Sequence, residues 1–350
     1  MLIQQKLEYP LWKIPYFLIK SLLIFIKVIR TGILTPLIEN KFFNKQTELI
    51  LRTLNFIFVN NDQKEIGKKL SNVLINLGPG YIKFGQALST RPDILGKKTC
   101  DELKILQGKL KPFSYSIARK MIQEENENLL QESLASFDEN PIANASVAQV
   151  HTGILKNGKK VAIKILKPNI HKHLFRDFTF FYWITKFFEF CIPSIKRLKL
   201  SKNVEVLSEV SLNELDLTLE ASAADELAEN FKNHHNYRVP KIYWEFTTKN
   251  MLVLEFIEGI RIDDLESLNA SKHNIKKITE IGTEVFFLQV FRDGFFHGDM
   301  HPGNILIDKE GALVPIDFGI MGRLSNKDRQ FLALLLTYLL NKNYKKVVEI

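Results

Sequence analysis

The chain has 350 residues and a mass of 40.5 kDa, enough for one two-lobed domain or two small domains. Hydrophobic residues make up 45% and charged residues 25%, which excludes an intrinsically disordered chain. Cys100 and Cys191 are the only cysteines and lie in no CxxC or Cys/His pattern, which argues against a disulfide framework or structural zinc site and favours a reducing compartment.

The net charge of +9 is concentrated in two segments. Residues 1–60 contain eight Lys or Arg against three Glu, and residues 172–202 contain seven against one Asp and one Glu. Each segment therefore carries +5, and both are rich in apolar and aromatic residues. Basic charge combined with apolar side chains suits an anionic membrane surface better than a nucleic-acid groove. We therefore expect an anionic lipid partner and no nucleic acid.

The N-terminal segment predicts an amphipathic helix beginning near Tyr16. Lys13, Lys20 and Lys27 recur every seven residues and form one stripe of such a helix. Apolar residues cover the other faces: Trp12, Phe17, Leu18, Leu22, Phe25 and Ile29. Charges interrupt the segment too often for a span of about 20 apolar residues, and no secretory signal is evident. We expect a helix lying on a membrane surface; the alternative is packing against the protein body with lysines extended to solvent.

The periodicity of the sequence changes along the chain. Helices are expected over residues 64–135, with a break at Gly78-Pro79-Gly80. Two β-like runs then flank a hairpin turn at residues 156–159. The predicted elements from there on are strands at 147–155 and 160–166, an aromatic basic insert at 172–200, a helical stretch at 204–231, strands at 241–246 and 251–256, and mostly helix over 262–350.

One segment carries the strongest chemical signal. His297-Gly298-Asp299 leads to Asn304, and Asp317-Phe318-Gly319 begins thirteen residues later. Asp299 fits a catalytic carboxylate of phosphoryl transfer, and Asn304 and Asp317 fit magnesium ligands, because hard cations prefer oxygen. The spacing of five from Asp299 to Asn304 equals that of the kinase catalytic loop. Each part alone has an ordinary explanation, such as turn capping by Asp299, but the ordered combination predicts a Mg-ATP site.

An upstream strand supplies the matching lysine. Val161-Ala162-Ile163-Lys164 resembles the kinase strand whose lysine pairs with the ATP phosphates. Lys164 needs a carboxylate to hold it, and Glu220 on the predicted helix is the candidate, with Glu214 and Asp216 as alternatives. An isolated strand lysine is usually structural, but its place ahead of the Asp299 motif favours a catalytic role.

Three further segments resemble the UbiB family of atypical kinase-like ATPases associated with ubiquinone biosynthesis. Lys83-Phe84-Gly85-Gln86 is similar to the family's KxGQ helix, and Glu214-Leu215-Asp216 to its ExD motif. Residues 141–151 are similar to the alanine-rich loop that replaces the kinase glycine loop, although Asn144 departs from it. The resemblance covers roughly residues 60–340.

The resemblance implies an α+β, two-lobed protein-kinase-like fold with a helical N-terminal extension. It also implies that Lys83 pairs with Glu214, that Lys164 pairs with Glu220, and that the KxGQ helices, with Gln86, close the site to protein substrates. The expected domains are a membrane-associating leader at 1–60, a KxGQ extension at 61–135, an N-lobe at 136–260 containing the insert, and a C-lobe at 261–350. The chain ends about thirty residues after the DFG motif, so we expect an incomplete C-lobe or a fragment.

The same resemblance implies the nucleotide contacts. Glu255 and Ile257 are expected where kinases offer backbone groups to adenine. The loop expected to cover the nucleotide comprises Ile142, Ala143, Asn144, Ala145, Ser146, Val147, Ala148, Gln149 and Val150. The Cβ atoms of this loop hinder the close phosphate approach that a glycine loop permits. Gly298 stands where kinases have the arginine that binds the phosphorylated activation loop. We therefore do not expect that phosphorylation switch in this protein.

The expected function is slow, lipid-responsive hydrolysis or transfer of phosphate from Mg-ATP. The resemblance implies support of ubiquinone biosynthesis with other proteins of that pathway, under an anionic or quinone-like lipid, at the cytoplasmic face of a bacterial inner membrane. Three alternatives stay open: a small-molecule kinase of the aminoglycoside or choline type, a non-catalytic nucleotide-sensing scaffold, and a true protein kinase. Lys83, Gln86 and the alanine-rich loop argue against the first, and the absence of an APE motif after Gly319 against the last.

Overall fold

The structure is a computed structural model that describes residues 14–39, 45–58, 65–107, 112–191, 193–271 and 273–350. Trp12 and Lys13, on which the leader prediction partly rests, lie outside these residues. The chain divides into two compact units. The first takes in the described parts of Met1–Arg119 and Ile165–Leu215 with Glu139–His151, and the second comprises Lys120–Asp138, Thr152–Lys164 and the described parts of Asp216–Ile350.

Fifteen α-helices lie within the described ranges. In chain order they are α1 (Ile14–Ile29), α2 (Leu34–Glu39), α3 (Lys45–Phe58), α4 (Ile66–Leu77), α5 (Pro79–Ser89), α6 (Pro92–Leu95), α7 (Lys97–Leu103), α8 (Tyr115–Glu125), α9 (Ile170–Cys191), α10 (Leu200–Asn213), α11 (Leu217–Asn230), α12 (Leu265–Ala270), α13 (Ile275–Phe287), α14 (Asn326–Leu340) and α15 (Tyr344–Glu349). None of the helices that the structure describes is long and apolar enough to cross a membrane.

The strands form three sheets. In chain order they are β1 (Leu134–Phe137), β2 (Ala143–Asn144), β3 (Ala148–Leu155), β4 (Lys160–Leu166), β5 (Met251–Glu255), β6 (Gly259–Arg261), β7 (Phe295–His297), β8 (Ile305–Asp308), β9 (Leu313–Pro315) and β10 (Met321–Arg323). The largest sheet has the order β1-β3-β4-β5, and β2 pairs with β3. The smaller sheets have the orders β6-β8-β9 and β10-β7.

The hairpin of β3 and β4 forms where the sequence predicts it. The turn contains Gly158 at φ 82°, a conformation that glycine adopts without strain. The side chain of Asn157 accepts a hydrogen bond from Lys159 N at 3.1 Å. Along β4 every residue from Val161 to Leu166 except Lys164 is buried, as expected for a strand covered on both faces.

Helices α1 and α9 share part of the core of the first unit. The Phe17 ring lies 5.7 Å from that of Phe180 and 5.1 Å from that of Trp183, and Lys20 Nζ lies 4.4 Å above Phe180. Phe17, Phe180 and Trp183 are buried, together with Ile29. Most of the aromatic insert is therefore helix α9, and three of its nine aromatic rings, those of Phe178, Phe180 and Trp183, are buried. Part of the leader's apolar surface also faces inward, as in the packing alternative.

The break between α4 and α5 places two glycines against a buried acid. Asp177 of α9 is fully buried and accepts a hydrogen bond from Gly80 N at 3.3 Å. A Cβ added at Gly80 would lie 2.5 Å from Asp177 Cβ, and Gly78 has φ 127°. Glycine at both positions therefore lets Asp177 reach the first turn of α5, which carries Lys83.

Three predicted elements differ from the structure. The helical stretch 204–231 is two helices, because the chain turns at Glu214-Leu215 and Asp216 then caps α11 by accepting from Thr218 N at 3.2 Å. Residues 241–246 form no strand; Ile242 makes an isolated bridge to Leu254, and a 3₁₀ turn follows at Trp244–Phe246. The region after residue 262 contains four strands of three or four residues among its helices.

Candidate functional site

The second unit brings Lys164 and Glu220 into direct contact. Lys164 projects from β4 on the opposite side from its neighbours Ile163 and Ile165. Its Nζ lies 2.7 Å from Glu220 Oε1 and 2.9 Å from Oε2. Only 13% of the Lys164 side chain and 6% of the Glu220 side chain are exposed. The predicted partner is therefore the observed one, whereas Glu214 pairs elsewhere and Asp216 caps a helix.

Asp317 joins this ion pair. Lys164 Nζ lies 3.4 Å from Asp317 Oδ1, which also accepts from Gly319 N at 3.0 Å. The preceding backbone amide, Phe318 N, donates to Glu220 Oε1 at 3.3 Å. The DFG segment thus binds both carboxylates and holds them on one ammonium group.

The three charges shift one another's proton affinities. Burial raises the pKa of Glu220 to about 7. The positive charge of Lys164 lowers this pKa in part, and the negative charge of Asp317 raises it further. Burial alone would raise the pKa of Asp317 as well, but the charge of Lys164 and the amide of Gly319 lower it to about 2. Burial opposes the charge on Lys164, yet the two carboxylates together raise the pKa of its ammonium. Lys164 and Asp317 are therefore ionised at neutral pH, and Glu220 titrates near it.

Asp299 and Asn304 lie together on the loop between β7 and β8. Asn304 Nδ2 lies 3.5 Å from Asp299 Oδ2, and Asn304 O accepts from Ile316 N at 2.9 Å. The second contact fixes the loop against the residue preceding Asp317. Asp299 is an exposed residue, so a substrate could reach it.

The oxygen donors of Asn304 and Asp317 fit Mg²⁺. Asn304 donates through Nδ2 to Asp299, which turns its amide oxygen elsewhere, and Asp317 offers an ionised carboxylate. Mg²⁺ commonly takes one or two such protein oxygens and fills its remaining positions with phosphate and water. Among the described residues no group of three or more His, Cys, Asp or Glu could hold a metal. Asn304 and Asp317 offer oxygen donors of the kind that a Mg²⁺ carried by a nucleotide would take.

His297 is a further site residue, which the sequence analysis did not single out. It is buried; its Nε2 lies 2.5 Å from Asp317 O, and its Nδ1 accepts from Asp299 N at 3.1 Å. A neutral ring protonated on Nε2 satisfies both contacts. His297 therefore ties the backbone of Asp299 to that of Asp317, and its position two residues before Asp299 is the signal from which it could have been found.

The first unit contains the other predicted ion pair. The Lys83 ammonium on α5 binds the Glu214 carboxylate at the end of α10, and the two side chains are 12% and 14% exposed. Gln86, one turn further along α5, donates through Nε2 to Leu106 O at 2.9 Å. The Gln86 side chain is therefore engaged within its own unit, where it anchors α5.

The alanine-rich loop forms a small hairpin. Ala143 pairs with Val150 and Asn144 with Gln149 across β2 and β3. Ile142 and Ala143 are exposed, whereas Ser146, Val147, Ala148 and Gln149 are buried. Gln149 accepts from Phe113 N at 3.0 Å, so its side chain has a structural role.

Glu255 and Ile257 lie at the end of β5. Glu255 N donates to Lys241 O at 2.8 Å, and its carboxylate accepts from Arg238 at 3.0 Å. Ile257 is buried. The Glu255 N–H is already used inside the protein, so an adenine contact at this residue falls to its carbonyl.

Comparison with known proteins identifies the family. Residues 105–350 match the model of the ABC1 atypical kinase-like domain. The chain belongs to the ABC1 atypical kinase-like family. Curated relatives of this ABC1 chain are named probable protein kinase UbiB: that of Cellvibrio japonicus is 39% identical over 288 residues, covering 81% of this chain and 52% of the relative. The relative from Shewanella woodyi is 39% identical over 302 residues, covering 84% and 55%.

These relatives confirm the recognition of a UbiB-family kinase-like protein. The chain spans about half the length of the curated relatives it matches. Among solved structures it is similar to the complex of Rv3197 with erythromycin from Mycobacterium tuberculosis, with a TM-score of 0.55 and 25% identity over 87% of this chain and 73% of that one. The α+β, protein-kinase-like fold with a helical N-terminal extension is thereby confirmed.

Proposed function

We propose that this ABC1-family chain binds Mg-ATP and hydrolyses it slowly or transfers its γ-phosphate. The observation that supports this most strongly is the contact of Lys164 with both Glu220 and Asp317. A buried lysine held by one carboxylate, beside a second that stays ionised, is the arrangement that positions nucleotide phosphates in kinases.

Each site residue then has a distinct role. Lys164, held by Glu220, binds the α- and β-phosphates, and Asn304 and Asp317 are the residues that would hold Mg²⁺. The cation would neutralise charge on the phosphates. Asp299 accepts the proton as an attacking water or hydroxyl forms a bond to the γ-phosphorus, and the bond from the γ-phosphorus to the bridging oxygen breaks to release ADP. Residues 142–150 cover the nucleotide, with Glu255 and Ile257 near adenine.

The proposed biological role is support of ubiquinone biosynthesis, which the UbiB name of the relatives implies. Ubiquinone-pathway proteins and a quinone-like or anionic lipid are the proposed partners, and the Lys83–Glu214 pair is a proposed regulatory contact. The domain division at residues 60, 135 and 260 is part of the same proposal.

We place this activity at a membrane surface, on the cytoplasmic face in bacteria. The outer face of α1 exposes a cluster of apolar side chains that are 47–63% accessible: Tyr16, Ile19, Leu22, Leu23 and Phe25. Lys27 and Arg30 are exposed near the end of the same helix. Apolar side chains flanked by cations favour the surface of an anionic bilayer.

Phosphate release from Mg-ATP by the purified chain tests the proposal, with and without anionic liposomes. We expect slow turnover that liposomes increase and that Asp317→Ala abolishes, since that variant removes a metal ligand and a partner of Lys164. The exposed variant Glu280→Gln, in the same unit, is the control and should match the wild type. Turnover that persists in Asp317→Ala would contradict the site.

The remaining outcomes separate the alternatives. ATP binding without turnover, in folded protein, would support a nucleotide-sensing scaffold. A strong rise in ADP release on adding an aminoglycoside or choline would support a small-molecule kinase. Phosphate transfer to added proteins would support a protein kinase.

A further inference from the structure

Gln289 is a buried polar residue for which the proposed phosphate chemistry has no direct use. It is 1% exposed and lies in a π-helical turn, Leu288–Asp293, that follows α13. Such turns are rare and occur often at functional sites. Both ends of the Gln289 amide are occupied: Nε2 donates to Tyr237 Oη at 3.3 Å, and Oε1 accepts from His297 N at 2.9 Å.

The second of these contacts leads to the catalytic loop. His297 Nδ1 accepts from Asp299 N at 3.1 Å, and its Nε2 contacts Asp317 O at 2.5 Å. One side chain, Gln289, therefore fixes the backbone of a residue that contacts the backbones of both Asp299 and Asp317. The carboxylates themselves remain available to substrate and metal.

Tyr237 anchors the other end of this series of hydrogen bonds. It is 4% exposed, and its ring centroid lies 4.7 Å from that of Phe231. Burial raises the pKa of its hydroxyl, so it stays protonated and remains available to Gln289 as a hydrogen-bonding partner. A buried backbone N–H such as that of His297 is costly to leave without an acceptor, and Gln289 supplies one from this fixed base.

We propose that Gln289 is a positioning residue that holds the loop bearing Asp299 in register with Asp317, through Tyr237 on one side and His297 on the other. Its effect on turnover rests on the proposed function, but its effect on the loop does not. Gln289 sets the geometry of this loop before any nucleotide binds.

Three variants of the full chain test the proposal. Gln289→Leu removes both hydrogen bonds, Tyr237→Phe removes only the outer one, and Gln289→Glu retains an acceptor for His297 N and a partner for Tyr237. Gln131→Leu is the matched control, because Gln131 is exposed in a second π-helical turn, Leu129–Ser133. Amide hydrogen exchange over residues 295–304 is measured without nucleotide, followed by kcat and KM for Mg-ATP.

We expect Gln289→Leu to accelerate exchange over 295–304 by about tenfold or more. Its kcat should fall by roughly 10- to 100-fold, with KM for Mg-ATP changed less than about threefold, because the lysine site is intact. Tyr237→Phe should show smaller changes in the same direction, and Gln289→Glu and Gln131→Leu should resemble the wild type.

Two results would overturn the proposal. One is unchanged exchange over 295–304 in both Gln289→Leu and Tyr237→Phe; the other is Gln289→Glu exchanging as fast as Gln289→Leu. If Gln289→Leu fails to fold, unchanged exchange over 295–304 in Tyr237→Phe, or exchange in Gln289→Glu faster than in Tyr237→Phe, overturns the proposal instead. A wild type that does not turn over Mg-ATP would contradict the proposed function alone, since the exchange comparison would still stand.

Discussion

The three charges at Lys164, Glu220 and Asp317 differ in how firmly each holds its protonation state. Two carboxylates share one ammonium, so the cluster carries one negative charge more than positive when all three groups are ionised. The pKa of Asp317 falls to about 2 and that of Glu220 rises to about 7, so the excess charge is relieved at Glu220. The carboxylate proposed to bind metal is thus the one that stays ionised.

The raised pKa of Glu220 predicts a pH-dependent stability. Because folding raises this pKa from 4.5 to about 7, the group's contribution is fully present below 4.5 and is lost as pH rises through 7. Between pH 5.5 and 8 the wild type should lose about 2 kcal/mol of unfolding free energy that Glu220→Gln does not lose. Urea unfolding at both pH values, with the exposed Glu280→Gln as control, measures the difference; equal losses in wild type and Glu220→Gln would contradict the assignment.

At the residue scale the sequence singles out the groups proposed to touch substrate, but not the residues that hold those groups in place. The residue types and spacings of Lys164, Asp299, Asn304 and Asp317 match those of kinases. The structure joins Lys164 to Glu220 and Asp317 and places Asn304 beside Asp299. Gln289 has no such signal, since a buried glutamine eight residues before a histidine is not a pattern that any chemistry requires. Its role depends on a π-helical turn, which propensity does not predict.

At the scale of single elements, the approach of α9 to α5 depends on the absence of one Cβ atom. In Gly80→Ala the new methyl would lie 2.5 Å from Asp177 Cβ, so either helix must shift. We expect the free energy of unfolding to fall by about 1 to 3 kcal/mol, although alanine has the better helix propensity. Thermal unfolding should show this as a lower Tm.

Gly282→Ala is the matched control for this prediction. Gly282 lies inside α13, and a Cβ there would meet only Leu313 Cδ1 at an ordinary 3.7 Å. Its Tm should be unchanged or higher, as for alanine in an open helix position. A Gly80→Ala chain as stable as Gly282→Ala would contradict the packing of Asp177 on α5.

The elements that the sequence predicts well are those with a long run of one periodicity or a glycine-marked break. The α4–α5 break and the β3–β4 hairpin are observed where glycine and alternation indicate them. Strands of three residues, such as β6, β7 and β10, are too short to show alternation and were missed. Residues 241–246 are rich in residue types that favour strands. The 3₁₀ turn at Trp244, whose Nε1 donates to Asp225 at 2.5 Å, nevertheless follows directly on the isolated bridge of Ile242.

For the molecule as a whole, the location of the positive charge says more about a possible binding surface than the net charge does. The basic leader presents an apolar outer face on α1 while its inner face packs on α9. Packing and membrane contact are therefore compatible for this helix, because they use different sides. The sequence predicts that the segment is amphipathic but not which residues face inward, since that depends on α9.

The proposed membrane surface makes a prediction for vesicle binding. The wild type should sediment with phosphatidylglycerol vesicles, less with phosphatidylcholine vesicles, and less at high salt. Leu22→Glu/Leu23→Glu should reduce sedimentation by about tenfold, because it places two charges in the apolar face. Leu219→Glu/Leu265→Glu changes two comparably exposed leucines elsewhere and should bind as the wild type does; equal loss in both variants would contradict the assignment to α1.

The most direct test of the central claim is calorimetric titration of the full chain with Mg-ATP. We predict saturable binding that requires Mg²⁺ and weakens at least about tenfold in Lys164→Met, because that variant removes the phosphate contact and leaves Glu220 unpaired. Lys276→Met, an exposed lysine of α13, should bind as the wild type does. Equal binding by Lys164→Met and the wild type would contradict a nucleotide site built on Lys164, Glu220 and Asp317.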